Sequence, residues 1–306
     1  MSLCAHGNAR FRLQTPGQRP GGPKAISYQL NIAVLGLGII GSAWAKNLID
    51  DGNTVRCWNR TPKTFPNFYA SIEEAVTDAE AIFILVADPP AVQSVLDQIR
   101  LQLRPGQLVI QSSTISAEWT LKFAEQVKKT GALFLEAPFT GSKLAAEQRE
   151  TVYYLGGDTG LIEMARPILE PISTAILHIG PLGSASTLKL AMNMNIAGVG
   201  QILCESLTLS RAAGIPDDIY FAALGRNLAH SGLADLKEPK LRKHNYSPQF
   251  SLKHMDKDLR LALETADNFS LRLEQTARLK QSYDEGIAAG WKEHDFIGLI
   301  RLLQKS

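Results

Sequence analysis

From Leu30 onward, short runs of β-branched and aliphatic residues alternate with stretches whose apolar positions recur at helical spacing. The runs are IAVLG, TVRCWNR, AIFILVA, QLVIQSS, LFLEAP, TVYYLGG and TAILHIG, and segments such as SIEEAVTDAE and SAEWTLKFAEQVKKT lie between them. Such alternation predicts an α/β fold: a doubly wound, mostly parallel sheet with helices on both faces. Each run closes near Gly, Asp, Asn, Ser or Pro, and in these sheets ligands gather at the carboxyl ends of the strands. Past Pro181 the strand pattern stops. The remainder of the chain reads as helix alone: LKLAMNMNIAGVGQILCESLTLSRAAG, DDIYFAALGRNL, SLKHMDKDLRLALETADN, LEQTARLKQSYDEGIAA and DFIGLIRLL. The first of these is apolar nearly all round, is therefore expected to be buried, and stops at Gly214 ahead of Pro216. The expected organisation is a leader over 1–28, an α/β domain over 29–182 and an all-helical domain over 183–306, with the long helix as the join.

At 306 residues and 45% hydrophobic content the chain can bury one or two good cores. The leader, rich in Gly, Pro, Arg and Gln, has no packing pattern and no apolar signal core, so it reads as disordered. An organelle address, a non-native start and a plain tail all remain open for it. Its Arg10, Arg12, Arg19 and Lys24 face no acid, which leaves the rest of the chain at −2 against an overall +2. The body is not expected to bind nucleic acid, having neither a basic face nor a reading motif. Cys4, Cys57 and Cys204 lie far apart, which suits packed thiols in a reducing compartment such as the cytoplasm and gives no zinc pattern. No apolar run approaches the ~20 residues of a membrane span. HExxH, the P-loop and GxSxG are absent, so no metal site, kinase-like or serine-hydrolase chemistry is expected.

The chemistry begins at Gly36-Leu37-Gly38-Ile39-Ile40-Gly41, a GxGxxG that follows a strand and opens a helix. In that context Gly36 permits the turn, Gly38 lets a pyrophosphate approach bare backbone, and Gly41 lets helix and strand pack. A dinucleotide is the expected ligand and a Rossmann-type domain the expected fold. The second strand ends in Asn59-Arg60-Thr61, some 23 residues beyond Gly36, where an acid would accept from the ribose 2′-OH of NAD. No carboxylate stands there, and the planar fork of Arg60 can grip a 2′-phosphate. The expectation is NADP in preference to NAD, with NAD still possible.

The sequence resembles the β-hydroxyacid dehydrogenase family, from Leu30 to the C-terminus, on four separated motifs. GLGIIGSAWAKNL looks like the family's GLGxMGxxMAxNL, with Ile40 for Met; EAPFTGSKLAA, from Glu136, looks like DAPVSGGxxGA; GSASTLKLAMN, from Gly183, looks like GxGxxxKxxxN; KDLRLALETA, from Lys257, looks like KDLxLAxxxA. The resemblance implies an NAD(P)-dependent oxidoreductase for small hydroxy or carbonyl acids. It implies that Thr140-Gly141-Ser142 holds the substrate carboxylate with Asn193, and that Val86-Ala87 after Leu85 and Thr114 after Ser113 lie along the cofactor. It places Lys257 near cofactor or substrate, with Phe250 and Asp258 also contributed by the helical domain, and it implies a homodimer or homotetramer. On their own terms, Lys189 and Asn193 are four residues apart at the start of the long helix and share a face. A lysine at that seam could pass a proton to a carbonyl oxygen as hydride arrives at carbon.

The GSK pattern at Gly141-Ser142-Lys143 looks closer to the glyoxylate/succinic semialdehyde reductase branch. Arg149 and Glu150 replace a usual Gly-Thr; if Lys143 or Arg149 faces the cleft it favours a second anionic group, and if they face water they say nothing of specificity. Ala185 stands for a family Gly, where its methyl could narrow the space beside the cofactor. His254, alone on a lysine-rich helix, is expected to be solvated. Two rivals stay open: a 3-hydroxyisobutyrate-type dehydrogenase working oxidatively, and a non-catalytic module that keeps the fold to bind NADP or a partner.

Overall fold

The computed structural model describes residues 29–303, so the expectations for the leader and for Cys4 lie outside the described residues. The chain runs β1 (Asn31–Leu35), α1 (Ile39–Asp50), β2 (Thr54–Trp58), α2 (Ile72–Val76), β3 (Ala81–Ile84), α3 (Pro89–Ile99), β4 (Leu108–Gln111), α4 (Ala117–Lys128) and β5 (Leu133–Glu136). It continues through β6 (Phe139–Thr140), α5 (Lys143–Glu147), β7 (Thr151–Gly156), α6 (Thr159–Leu169) and β8 (Ser173–Gly180). The helical part comprises α7 (Ser184–Ala212), α8 (Asp217–Leu224), α9 (Gly232–Arg242), α10 (Leu252–Asn268) and α11 (Glu274–Ala288), closed by a 3-10 segment over Phe296–Leu303.

β1 pairs in parallel with both β2 and β3, and β3, β4 and β5 continue in parallel, so the strand order reverses at β1. The crevice beyond the carboxyl ends of β1 and β3 is the switch point where such sheets bind ligands. β7 then runs antiparallel to β5 and β6, with β8 parallel beside it. β6 escapes a reading of the sequence because two residues leave no period.

Each sheet face carries its own core. Trp44 of α1 is buried on one face against Phe83, Phe139 and Tyr153, and its indole N–H donates to Thr151 Oγ1 at 3.1 Å. On the other face α2, α3 and α4 cover Ile82, Ile84 and Val109. A third core gathers α7, α9, α10 and the C-terminal segment around Leu203, Leu207, Met255 and Phe296. The DFIGLIRLL run is helical but 3-10, and Phe296 to Ile300 are all buried. Burial on every side there removes the solvent face that a 3.6-residue period would present.

The expectation that the long α7 is buried holds for one side of the helix only. One stripe, including Ala197, Leu203 and Leu207, enters the core, while Ile202 and Leu209 are 60% and 73% exposed in the single chain. Cys57 and Cys204 are buried free thiols, each pushed up to about 12 by burial, as idle packed cysteines should be. Among the described residues no helix is long and apolar enough to cross a membrane, and no cluster of His, Cys, Asp and Glu could hold a metal.

Candidate active site

The three glycines of the first turn differ in what surrounds them. Gly36 has φ 115°, and a Cβ there would stand 2.0 Å from Leu85 O; a Cβ on Gly41 would stand 2.0 Å from Gly36 O. The protein itself therefore requires these two. A Cβ on Gly38 would meet nothing within 4 Å, so no neighbouring atom of the chain accounts for its missing side chain. Gly38 is the N-cap of α1, which has no side-chain cap and no acid in its first turn. An uncapped helix start over an open glycine is a cradle suited to a diphosphate.

The carboxyl end of β2 is tied to this turn. Leu37 N–H donates to Asn59 Oδ1 at 2.9 Å, Asn59 Nδ2 donates to Thr61 O at 2.7 Å, and Lys63 Nζ donates to Leu37 O. Arg60 is exposed beside them. Lys63 is a second cation at the position that decides between nucleotides; the spacing NRTPK contains it, three residues past Arg60, and the reading of the sequence passes over it. At the next strands Val86 N–H donates to Ser113 Oγ at 2.8 Å, which stitches the ends of β3 and β4 together, with Ala87 exposed and Thr114 half-buried.

Four side chains from α7 and α10 meet this edge. Lys189 is 9% exposed, with its Nζ 5.8 Å from the centre of the Phe139 ring, next to Thr140. Its ammonium makes no hydrogen bond among the described residues. Burial pushes its pKa down to about 8, with Asp258 pulling it back up and Lys257 pressing it further down. Asn193 Nδ2 donates to Asp258 Oδ2 at 2.5 Å, which leaves one amide N–H free. Lys257 Nζ lies 2.9 Å from Asp258 Oδ1 and donates to Thr114 O at 2.6 Å. The two domains thus meet through a connected set, Asn193, Asp258, Lys257 and Thr114, beside a free buried lysine.

Thr140 ends β6, Gly141 follows at φ 148°, and Ser142 caps α5 by accepting from Ala145 N–H at 3.3 Å. The Ser142 hydroxyl keeps its own proton to donate. Of the charges nearby, Arg149 turns away: it bonds Asp51 Oδ2 at 2.6 Å, Pro171 O and Asn47 O, behind α1. Lys143 is exposed and pairs with Glu147 at 3.6 Å. Among the described residues neither makes a hydrogen bond to the Thr140–Ser142 turn. Ala185 is fully buried. The expectation that His254 is solvated is corrected: it is half-buried, stacks on Phe250 with ring centres 6.3 Å apart and shares a 2.9 Å hydrogen bond with Ser251 Oγ. Burial pushes its pKa down, so the neutral ring is favoured. Phe250 packs against the core of the helical domain.

Known proteins match along the same lines. Residues 31–180 fit the family described as the NAD binding domain of 6-phosphogluconate dehydrogenase, and residues 183–303 the one described as NAD-binding of NADP-dependent 3-hydroxyisobutyrate dehydrogenase. Glyoxylate/succinic semialdehyde reductase 2, chloroplastic, of Arabidopsis thaliana is 30% identical over 285 residues, covering 90% of this chain and 80% of that one. Glyoxylate/succinic semialdehyde reductase 1 of the same plant is 28% identical over 287 residues, covering 90% and 99%. Among solved structures, 3-hydroxyisobutyrate dehydrogenase of Mycobacterium tuberculosis with L-serine superposes at a TM-score of 0.82, with 25% identity over 91% of this chain and all of that one.

Proposed function

Because the chain belongs to the β-hydroxyacid dehydrogenase family and is an NAD(P)-dependent oxidoreductase, we propose that it reduces a small aldehyde or keto acid of the glyoxylate or succinic semialdehyde type, with NADPH preferred and Lys189 as proton donor. The observation that carries this is Lys189 itself, a buried and unpaired lysine at the seam between a dinucleotide cradle and the helical domain. The glycine turn at Gly36–Gly41 and the ends of β2 to β4 would hold the dinucleotide, which would supply the hydride. Lys189 Nζ delivers a proton to the carbonyl oxygen, and its unpaired setting leaves the N–H free to do so. Asp258 fixes the Asn193 amide, whose second N–H is left to donate to the substrate. The main chain and hydroxyls of Thr140, Gly141 and Ser142 take the carboxylate, a compact set of donors for a small anion.

The preference for NADPH rests on the end of β2, where Arg60 and Lys63 stand and no acid repels a 2′-phosphate. Substitution of both, Arg60→Ala with Lys63→Ala, is expected to raise the KM for NADPH roughly 10- to 100-fold, as two charge-assisted contacts are lost. The KM for NADH is expected to change little. Initial rates with both cofactors against glyoxylate, succinic semialdehyde, methylmalonate semialdehyde and tartronate semialdehyde test this. Equal rates with NADH in the unaltered protein would refute the preference, and no turnover of any of these carbonyls would refute the substrate class.

One observation favours a second reading, oxidation of a 3-hydroxyisobutyrate-type acid: with its pKa near 8, Lys189 is readily neutral and can act as base. Comparing hydroxy-acid oxidation with semialdehyde reduction separates the two. We also assign the uncovered apolar face of α7, with Ile202 and Leu209, to contact between copies of the chain. Light scattering at micromolar concentration is expected to return a dimer or tetramer, and a monomer would overturn the assignment.

A further inference from the structure

The longest helix of the protein starts without a cap of its own. Its N-cap is Gly183, in the left-handed region at φ 93°, and its first turn contains no acidic residue. Such a start leaves the first N–H groups and the positive end of a 29-residue dipole to be met from elsewhere. They are met from the sheet. Glu136, the last residue of β5, is fully buried; its Oε2 accepts from Gly183 N–H at 2.7 Å and its Oε1 from Ser186 N–H at 2.5 Å. The neighbouring strand is cut away to admit the carboxylate, since a Cβ on Gly156 would stand 1.9 Å from Glu136 Oε2. Ser186 Oγ also meets Thr120 Oγ1 of α4 at 2.8 Å. The first turn of α7 is thereby fastened to two elements of the nucleotide domain at once.

Ser186, Lys189 and Asn193 stand at i, i+3 and i+7, on one helix face. Lys189 is about 4.5 Å and Asn193 about 10.5 Å along the axis from the fastening. Rotation or slippage at the fastened turn is carried directly to both, and a misplacement of about 1 Å at a reacting group costs on the order of 100-fold in rate.

We propose that Glu136 is a positioning residue: it holds the first turn of α7 so that Lys189 and Asn193 stand correctly at the reacting carbonyl. The inference rests on the reading of Lys189 as proton donor. Gln at this position keeps the length but loses the charge and one of the two acceptors, and Asp keeps the charge but is one methylene short.

The test compares kcat, carbonyl KM, NADPH Kd by fluorescence and the kcat–pH profile in the unaltered protein, Glu136→Gln, Glu136→Asp, Thr120→Val and Lys189→Ala. Glu136→Gln is expected to lose roughly 10- to 100-fold in kcat, to keep NADPH Kd within about two-fold, and to move the alkaline limb of the profile as Lys189 leaves its buried setting. Glu136→Asp is expected to fall between, and Thr120→Val, which removes only the hydroxyl contact to Ser186, to lose less in the same sense. Collapse in Lys189→Ala with kcat and limb unchanged in Glu136→Gln overturns the inference alone, as does a loss confined to NADPH binding. Turnover unaffected in Lys189→Ala overturns the underlying reading instead. Should Glu136→Gln not fold, Glu136→Asp decides: an unchanged kcat and limb overturn the proposal.

Discussion

Replacing Lys189 by alanine should lower carbonyl reduction by about 10²- to 10⁴-fold, the range for removing a positioned general acid. NADPH binding should survive, because the glycine turn and the end of β2 lie on other elements. The pH dependence has a definite sign. Reduction consumes a proton and needs the ammonium form, so in the unaltered protein it should decline as pH rises through about 8, the value to which burial brings Lys189. Oxidation needs the neutral amine and should rise across the same interval. Steady-state kcat in both directions between pH 6 and 10 measures this, with the range set by the ordinary and shifted lysine values. An alanine variant within threefold of the unaltered rate, or a profile flat through that interval, would sink the assignment and move the proton donor to another group.

The second large effect is on stability. Lys237 and Asp295 form an ion pair at 2.8 and 2.9 Å with 1% and 0% of their side chains exposed, and the ammonium also donates to Gln249 Oε1. Lys237→Met strands a buried carboxylate, which should cost about 3–5 kcal/mol and lower the melting temperature on the order of 10 °C. Removing both charges should not rescue the fold. Asp295 also accepts from the N–H groups of Gln249, Phe250 and Ile297, and without it those donors are orphaned in the core. Asp295→Leu should therefore be worse than Lys237→Met. Chemical denaturation of the two single variants and the double variant decides; a loss below about 1 kcal/mol in Lys237→Met would mean that the pair is not desolvated in solution.

These two cases also divide what a sequence reveals from what only the fold does. The seven strand runs, the glycine turn and the shared face of Lys189 and Asn193 are legible because each is a local pattern, set by spacing within a few residues. Lys237 and Asp295 are separated by 58 positions, and Glu136 and Ser186 by 50. No period links such residues, and only the folded chain brings them together. His254 is misread for the same reason: the lysines beside it are exposed or engaged elsewhere, while Phe250 covers its ring. In the sequence Asp258 is only the companion of Lys257, yet it touches both Asn193 and Lys257 and so joins the motif of α7 to that of α10. The half-exposed face of α7 has another cause. Apolar composition records what a helix can bury, and only the packing of its neighbours decides which of its faces they reach.

α7 begins against the sheet and ends among the helices, so its 29 residues belong to neither domain by themselves. Lys189 and Asn193 ride on the part that leaves; the acid that caps the helix stays behind on β5. In the currency of inheritance, this splits one function across a boundary where domains are ordinarily exchanged. A recombinant that joined the nucleotide domain of one relative to the helical domain of another at Gly183 would carry Lys189 and Asn193 over intact and still depend on whether the recipient strand ends in an acid of the right length. In lineages built this way the strand end and the helix start should change only together.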